Sequence, residues 1–206
     1  MKRPVVLSLD FGTTFCKCAA HNGKRFLAQA ERPVPVERSR PGMAELWPED
    51  WKTAAVYVMR EVAKILGARI NDIVAIGVST SGPGIILSDA EGNALLPSPN
   101  WQDVRCATEG AYLLKTIGAE WVGQGMPETS LAARVLWYDR HHPELLRRAT
   151  RVQDNKGFVL SFLTGNCVSD VSCNGRATYD WTREMIALTA LRTEQLDKIL
   201  PIEGIA

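Results

Sequence analysis

The first 31 residues alternate apolar and polar positions in the way that is typical of β-strands. Residues 4–10, 14–21 and 24–31 are predicted to form three strands. Asn22 and Gly23 lie between the second and third strands, and both tolerate the positive φ that a type I′ turn requires. The pattern therefore predicts that the chain begins with an antiparallel β-meander.

Between residues 32 and 79, the sequence pattern predicts an extended segment, a helix and a buried strand. The stretch "RPVPVERSRPGM" is rich in proline, which predicts an extended surface segment. Pro48 suits the first position of a helix that runs up to Gly67. Its apolar residues at helical spacing are Trp51, Ala55, Val58, Val62 and Ile65. The run "DIVAIGVS" at 72–79 is almost continuously apolar, which predicts a strand covered on both faces.

The rest of the chain is predicted to be largely helical. "GIILSDAEGNALLP" indicates a second hairpin that turns between Asp89 and Asn93. Short strands are expected near "TRVQD" and "CVSDVS", and helices are expected at about 104–118, 129–140, 143–149 and 155–163. No internal repeat and no obvious linker divides the sequence, so we expect one α/β domain.

Composition narrows the classes of partner. The 206 residues are 46% hydrophobic and 23% charged, with a net charge of +1 and no long run of like charges. This balance argues against binding to nucleic acid or an anionic membrane and favours a small-molecule partner. No apolar run reaches the roughly 18 residues of a membrane span, and the N-terminal apolar stretch is too short for a signal peptide. We therefore expect a cytoplasmic protein.

The cysteines suggest no metal set. Cys16 and Cys18 would share one face of a strand and could chelate a metal, but no second close pair of ligands completes the site, since His141 and His142 are adjacent. We interpret the thiols as small apolar side chains in a reducing compartment. The five are Cys16, Cys18, Cys106, Cys167 and Cys173.

The candidate chemistry begins at the end of the first strand, in "LDFGTTFCK". The motif leads into a hairpin rather than a helix, so it is neither a Walker loop nor a dinucleotide fingerprint. Gly12 would let the backbone approach a ligand, and Thr13 and Thr14 can donate to phosphate oxygens. Asp10 can orient magnesium through water, with Lys17 as a nearby positive charge. The alternative is that Asp10 and Gly12 shape a tight turn and the threonines are ordinary strand residues.

Asp-x-Gly-Thr-Thr resembles the first phosphate loop of the actin-like ATPase superfamily. Four further stretches, in order along the chain, resemble the amino-terminal half of the FGGY family of carbohydrate kinases. They are "GMAELWPEDWKTAAVYVMREV", "DIVAIGVSTSGPGIILSDAEGNALLP", "PNWQDVRCATE" and "FVLSFLTGNCVSDVSCNGRATYDW". The resemblance implies a ribonuclease H-like (actin-like ATPase) fold with a mixed sheet, ATP and Mg²⁺ as cofactors, and a sugar, sugar acid or polyol as substrate.

The resemblance also implies roles for particular residues. Asp10 would help to hold magnesium, and the transferred phosphate would face Gly12, Thr13, Thr14 and Lys17. A second set, Trp101, Asp103 and Arg105, would lie beside the sugar, where a polyol needs a charged acceptor, a bidentate donor and an aromatic face. Without the resemblance, these three residues would be interpreted as a core tryptophan, a helix N-cap and a surface cation.

Some positions depart from the family pattern. Gly82 and Pro83 stand where xylulokinases carry a methionine and a histidine in the substrate pocket, and they offer neither a side-chain donor nor bulk. We therefore expect D-xylulose to be a poor substrate, with Gly82 and Pro83 among the substrate-binding residues. Phe15 replaces a small hydroxyl residue, and Cys173-Asn174 replaces an acidic or amide residue followed by alanine.

This sequence is also less than half as long as members of the family. Family members carry a second domain that supplies the adenine pocket, a second phosphate loop and the aspartate general base. We expect residues 1–206 to be the N-terminal domain, with no general base before Ala206 and with homodimerisation left open. The alternatives are a chaperone-type or filament-forming ATPase of the same superfamily and a non-catalytic sugar-binding remnant.

Overall fold

A computed structural model describes residues 3–118, 127–170, 186–201 and 204–206. The chain forms two compact units. Unit 1 comprises Met1–Val36 and Glu49–Thr80, and unit 2 comprises Glu37–Pro48 and Ser81–Ala206. Each unit is described by itself.

Unit 1 contains a mixed four-stranded sheet. Its strands are β1 (Val5–Phe11), β2 (Phe15–His21), β3 (Phe26–Pro33) and β5 (Ile73–Thr80), in the order β3-β2-β1-β5. β1 pairs antiparallel with β2, β2 pairs antiparallel with β3, and β5 joins β1 in parallel. The predicted meander and the mixed sheet are confirmed.

Helix α1 (Pro48–Leu66) covers one face of this sheet. The strand β1 alternates, so that its odd-numbered residues from Val5 to Phe11 are buried. Phe11 contacts Trp51 of α1 edge to face, with ring centroids 6.0 Å apart. The predicted helix is confirmed, except that Ile65 is 60% exposed and does not belong to its buried face.

The turn between β2 and β3 differs from the predicted type I′ turn. Gly23 has a φ of +79°, whereas Asn22 does not adopt a positive φ. Asn22 instead accepts hydrogen bonds through its side-chain oxygen from the amides of Lys24 and Arg25, at 3.2 and 3.3 Å. The loop is longer than two residues because His21 pairs with Phe26, so the local side-chain bonds of asparagine replace the tight turn.

The strand β5 also differs from its prediction. In the described part of the chain it pairs with β1 alone, and Val74 and Ile76 are 67% and 48% exposed. The expectation that both faces of this strand are covered is therefore wrong for the described residues. A continuous apolar run indicates that both faces of a strand can be buried, but it does not identify the residues that pack against them.

Unit 2 is built from short strands and helices. Three two-stranded pairs are present: β4 (Glu45–Leu46) with β7 (Ser98–Pro99), β6 (Ile86–Ser88) with β8 (Arg151–Gln153), and β9 (Val168–Asp170) with β10 (Lys198–Leu200). The helices are α2 (Ala107–Ile117), α3 (Leu131–His141), α4 (Pro143–Arg148) and α5 (Asn155–Thr164). The four helices and the strands β6, β8 and β9 match the predicted elements to within a few residues at their ends, whereas β4, β7 and β10 were not predicted.

Capping residues explain the helix boundaries in unit 2. The Ser130 hydroxyl accepts a hydrogen bond from the Ala133 amide at 3.1 Å, so α3 begins after Ser130. Asp154 caps α5 in the same way through the Gly157 amide at 2.7 Å, and the helix ends at Thr164, before Gly165, whose φ is +77°. The turn predicted between Asp89 and Asn93 is present, since the Asp89 amide donates to the Asn93 carbonyl at 3.0 Å and Ser88 forms an antiparallel bridge with Ala94. The strand β6 pairs with β8 as well.

The described cysteines are free thiols. Cys16, Cys18 and Cys106 are buried, and burial raises the pKa of Cys18 to about 11 and that of Cys106 to about 12. They are therefore uncharged at neutral pH and pack as apolar groups. Cys173 and Asn174 lie outside the described residues. Within the described ranges, no helix combines the length and the apolar character that a membrane span needs.

Candidate functional site

The turn between β1 and β2 is held by backbone contacts. The Gly12 amide donates to the Phe15 carbonyl at 2.9 Å, and a Cβ atom on Gly12 would lie only 2.8 Å from that oxygen. The Gly12 carbonyl accepts from Trp51 Nε1 at 3.1 Å, and the Thr14 carbonyl accepts from the Val34 amide at 2.8 Å. The turn therefore requires glycine at position 12, and its carbonyls are oriented by the protein.

Asp10 and Lys17, which flank this turn, lie on the sheet face opposite α1. Asp10 pairs with Lys17 across the β1–β2 ladder and with Ser79 across the β1–β5 ladder. Residues in register on neighbouring strands point to the same face, so the carboxylate and the ammonium group share one surface. Thr14 is exposed, and Asp10, Gly12 and Thr13 are half-buried. The structure thus brings the five predicted phosphate-loop residues together within unit 1.

Asp10 is the candidate metal ligand of this turn. Among the described residues, no group of three or more histidine, cysteine, aspartate or glutamate side chains could enclose a metal ion. A single half-buried carboxylate beside hydroxyl groups fits magnesium, which keeps several waters and binds through one or two carboxylates and substrate phosphates. The donor set does not resemble a structural zinc site.

Unit 2 holds a second polar cluster, centred on Asp103. This residue is 1% exposed, and both of its carboxylate oxygens are occupied. Oδ2 accepts from the Ala44 amide at 2.8 Å and from Arg105 Nη2 at 2.6 Å, while Oδ1 accepts from Arg105 Nε at 2.8 Å and from the Arg105 amide at 3.1 Å. Both carboxylate oxygens are therefore used in hydrogen bonds that hold Arg105 and the segment that precedes β4.

Arg105 is fixed from several sides. Its Nη2 also contacts Glu45 Oε1 at 2.8 Å, and its guanidinium lies 5.2 Å from the centre of the Trp137 ring. Burial disfavours the charge, but the hydrogen bonds and charges of Asp103 and Glu45 outweigh burial and raise the pKa of Arg105. Its Nη1 atom has no hydrogen-bond partner among the described residues, so one donor nitrogen of a rigid guanidinium remains available.

The other predicted sugar-site residues also lie in unit 2. Trp101 is 42% exposed, which differs from a core tryptophan. Gly82 and Pro83 are half-buried, and the Pro83 carbonyl accepts a hydrogen bond from Arg134 Nη1 at 3.2 Å. Arg134 also donates to the carbonyls of Pro99 and Asn100. The loop at Gly82-Pro83 and the segment before Trp101 are thus joined through one side chain.

Sequence reasoning did not single out three residues that hold these segments. They are Arg134, Glu45, which pairs with Arg105, and Asn155, whose Nδ2 donates to the Ser81 carbonyl. Glu45 and Asn155 carry no local signal, because their partners are distant in the chain. Arg134 did carry one, since it falls at the helical spacing of the buried residues Leu131 and Tyr138. A charged residue on the apolar face of a helix indicates a specific buried partner.

Comparison with known proteins identifies the family. The family model described as "FGGY family of carbohydrate kinases, N-terminal domain" matches residues 5–206. The xylulose kinase of Escherichia coli (strain K12) is 30% identical over 202 residues, which cover 92% of this chain and 41% of that relative. The chain thus spans about two-fifths of the length of this curated relative.

Solved structures show the same fold. The xylulose kinase from Rhodospirillum rubrum superposes with a TM-score of 0.85 at 24% identity, over 95% of this chain and 43% of that one. The gluconate kinase from Lactobacillus acidophilus superposes with a TM-score of 0.84 at 22% identity, over 97% and 42%. The predicted fold, a mixed α/β sheet of the actin-like ATPase type, is confirmed. Because the family model matches nearly the whole sequence, the chain belongs to the FGGY family of carbohydrate kinases.

Proposed function

We propose that this chain is the sugar-binding, N-terminal part of a kinase that transfers a phosphoryl group from ATP to a hydroxyl of a sugar, sugar acid or polyol. One observation in unit 2 carries the proposal beyond family membership. Arg105 is immobilised by Asp103 and Glu45, yet its Nη1 atom has no partner among the described residues. A guanidinium held in this way is preorganised for a ligand oxygen.

Arg105 and Trp101 have complementary roles in this proposal. Arg105 donates to a substrate hydroxyl, and the exposed ring of Trp101 covers the C–H side of the sugar. Asp103 acts through Arg105, because its own oxygens already accept hydrogen bonds from the chain. A fixed guanidinium loses little entropy when the hydroxyl binds, which favours affinity.

The turn between β1 and β2 serves the phosphate in this proposal. Thr13 and Thr14 supply amides and hydroxyls, Gly12 lets the backbone approach the ligand closely, and Lys17 supplies a positive charge. Asp10 would hold a hydrated magnesium ion, which neutralises charge on the phosphoryl oxygens when it is bound. Transfer also needs a group that accepts the hydroxyl proton. We propose that this general base and the adenine pocket belong to the part of the relatives that this chain does not span.

The preferred substrate, in our proposal, is not D-xylulose. The loop at Gly82-Pro83 contributes only backbone and a proline ring, so discrimination between sugars rests on Arg105, Trp101 and the position of the loop backbone. A hydroxyl without a polar partner loses affinity on burial, which disfavours sugars that require side-chain donors from this loop.

The test is a coupled ADP-release assay of the complete gene product across ketoses, sugar acids and polyols. We expect ADP production that depends on one class of sugar, and we expect Arg105→Met to raise the KM for that sugar while the KM for ATP changes little. Hydrolysis of ATP at one rate with every sugar and with none would instead indicate an ATPase of the same superfamily. The 206-residue chain by itself is expected to fold and to produce no ADP.

A further inference from the structure

Arg134 is a charged residue inside the core of unit 2. It lies on α3, and its exposure is 0%. Its neighbours at helical spacing, Leu131 and Tyr138, belong to a buried apolar cluster that also includes Val135. A guanidinium in such surroundings has lost its hydration and needs strong protein partners.

The partners of Arg134 are backbone carbonyls from two segments. Nη1 donates to the Pro83 carbonyl at 3.2 Å and to the Pro99 carbonyl, and Nη2 donates to the Asn100 carbonyl at 2.6 Å. In the described ranges, no carboxylate forms an ion pair with this guanidinium, and its Nε atom has no hydrogen-bond partner. Arg134 is therefore held almost entirely by main-chain oxygens.

Packing alone does not explain an arginine at this position. Burial lowers the pKa of Arg134 to about 10, so the group stays charged at neutral pH although it is fully buried. Replacing a buried charged group by a well-packed apolar residue is often neutral or stabilising. The hydrogen bonds that Arg134 donates therefore explain an arginine here better than the space that its side chain occupies in the core.

The carbonyls that Arg134 binds flank the proposed sugar-site residues. Pro83 lies in the loop with Gly82, whereas Pro99 and Asn100 immediately precede Trp101. A second side chain braces the same loop, because Asn155 Nδ2 donates to the Ser81 carbonyl at 2.5 Å. The planar guanidinium, which presents donors in fixed directions, sets the separation between the loop 81–84 and the segment 99–105.

We propose that Arg134 is a positioning residue that determines sugar fit by holding the loop 81–84 and the segment 99–105 at one separation. This inference rests on the proposed function. The loop provides no side-chain donor, so its contribution to specificity depends on where its backbone lies. Misplacement of such a segment by about 1 Å can reduce catalysis about 100-fold.

The experiment compares Arg134→Lys and Arg134→Met with Leu136→Ala in the complete gene product. Lysine keeps the charge but has no planar fork, and methionine removes the charge. Leu136 is buried on the same helix in a different apolar cluster, so the control destabilises the core and leaves the hydrogen bonds of Arg134 to both segments in place. Hydrogen exchange of residues 81–88 and 99–105 is measured together with KM for the best sugar, KM for ATP and the melting temperature.

We expect Arg134→Lys to accelerate exchange in both segments together and to lower kcat/KM for the sugar about 10- to 100-fold, with the KM for ATP nearly unchanged. Leu136→Ala should lower the melting temperature without this selective pattern. If Arg134→Lys leaves exchange of the two segments and sugar use as in the wild type, the inference is wrong.

Failure of the proposed function gives a different result. A wild-type protein that phosphorylates no sugar contradicts the kinase assignment, and coupled exchange of the two segments would then still support Arg134 as the residue that holds them. If Arg134→Met does not fold, Arg134→Lys alone decides, since it retains the charge. Equal losses of sugar and ATP use in Arg134→Lys would indicate a merely structural role and overturn the inference.

Discussion

Asp103 and Arg105 form a two-pronged ion pair, in which Arg105 Nε lies 2.8 Å from Oδ1 and Nη2 lies 2.6 Å from Oδ2. The Ala44 amide, 59 positions away in the chain, also donates to Oδ2 at 2.8 Å. The pair is thus tied to a distant segment of unit 2. We infer that Asp103 affects a substrate through the orientation of Arg105.

Asp103→Ala is expected to impair both stability and sugar use. Removing one member of a buried ion pair typically costs about 3 to 5 kcal/mol, because the other charge stays buried without its partner. The KM for the sugar should rise at least about tenfold. Urea denaturation and steady-state kinetics in both substrates measure the two effects. Arg38→Ala is the control, since Arg38 is exposed and, among the described residues, donates only to the exposed Gln102 side chain. A selective rise in the KM for ATP would place this pair outside the sugar site.

Asp10→Asn is expected to lower turnover by several orders of magnitude with little loss of stability. Asp10 is half-buried at the end of β1, and the amide would keep its size while losing the charge that magnesium requires. Turnover is measured at saturating ATP and magnesium. Ser8→Ala, on the same face of β1, is the matched control. Wild-type turnover in Asp10→Asn would show that this carboxylate does not hold the metal.

The elements near these sites were predictable because their signals are local. Proline position and helical spacing predicted α1, and alternation predicted the meander from β1 to β3. The turn at Asn22 was not predicted, because its side-chain oxygen competes with the type I′ geometry that the sequence also allows. For β5, an apolar run indicates burial but does not identify the residues that would cover it.

The site residues divide in the same way. Asp10 and Arg105 were candidates because their neighbours in the sequence form recognisable motifs. Arg134 and Glu45 were not, because each acts through partners that only the tertiary structure brings close. The sequence could therefore nominate residues for a ligand site, whereas among the residues that hold them only Arg134 carried a local signal, its position on the buried face of α3.

Asp197→Asn is expected to raise stability at pH 8 and to flatten its pH dependence. Burial, with a smaller contribution from the charge of Asp154, raises the pKa of Asp197 from 3.8 to about 7, although Gln153 and Arg151 oppose this. A carboxyl whose pKa is raised on folding binds its proton more tightly in the folded state. Its contribution to stability is therefore lost as the pH rises from about 4 to about 7.

Urea denaturation between pH 4.5 and pH 8 measures this effect, which is on the order of 3 kcal/mol. Glu144→Gln replaces an exposed carboxyl in the same unit and is the control. A slope that is the same in Asp197→Asn and in the wild type would mean that Asp197 is ionised in the folded protein throughout this range.

Gly84→Ala is expected to displace the loop 81–84. A Cβ atom at this position would lie 2.1 Å from Asn155 Oδ1, and Asn155 also holds the Ser81 carbonyl. The collision should cost about 1 to 3 kcal/mol. A double-mutant cycle with Asn155→Ala is the sharpest test, because removing the amide should relieve the collision. Equal losses from Gly84→Ala in both backgrounds would show that Asn155 is not what excludes the methyl group.

D-xylulose is expected to be a poor substrate, although several of the relatives are xylulose kinases. Gly82 and Pro83 offer no side-chain donor to a ketose, and the carbonyl of Pro83 is already bound by Arg134. A panel of ketoses, sugar acids and polyols, assayed with the complete gene product, measures kcat/KM for each. The paired substitution Gly82→Met with Pro83→His restores the side chains that xylulokinases carry and should increase the use of D-xylulose relative to the best substrate. Its melting temperature reports whether the loop tolerates the change. If D-xylulose is the best wild-type substrate by a wide margin, the two side chains are dispensable, and the contacts that select this sugar must come from Trp101, Arg105 and the loop backbone alone.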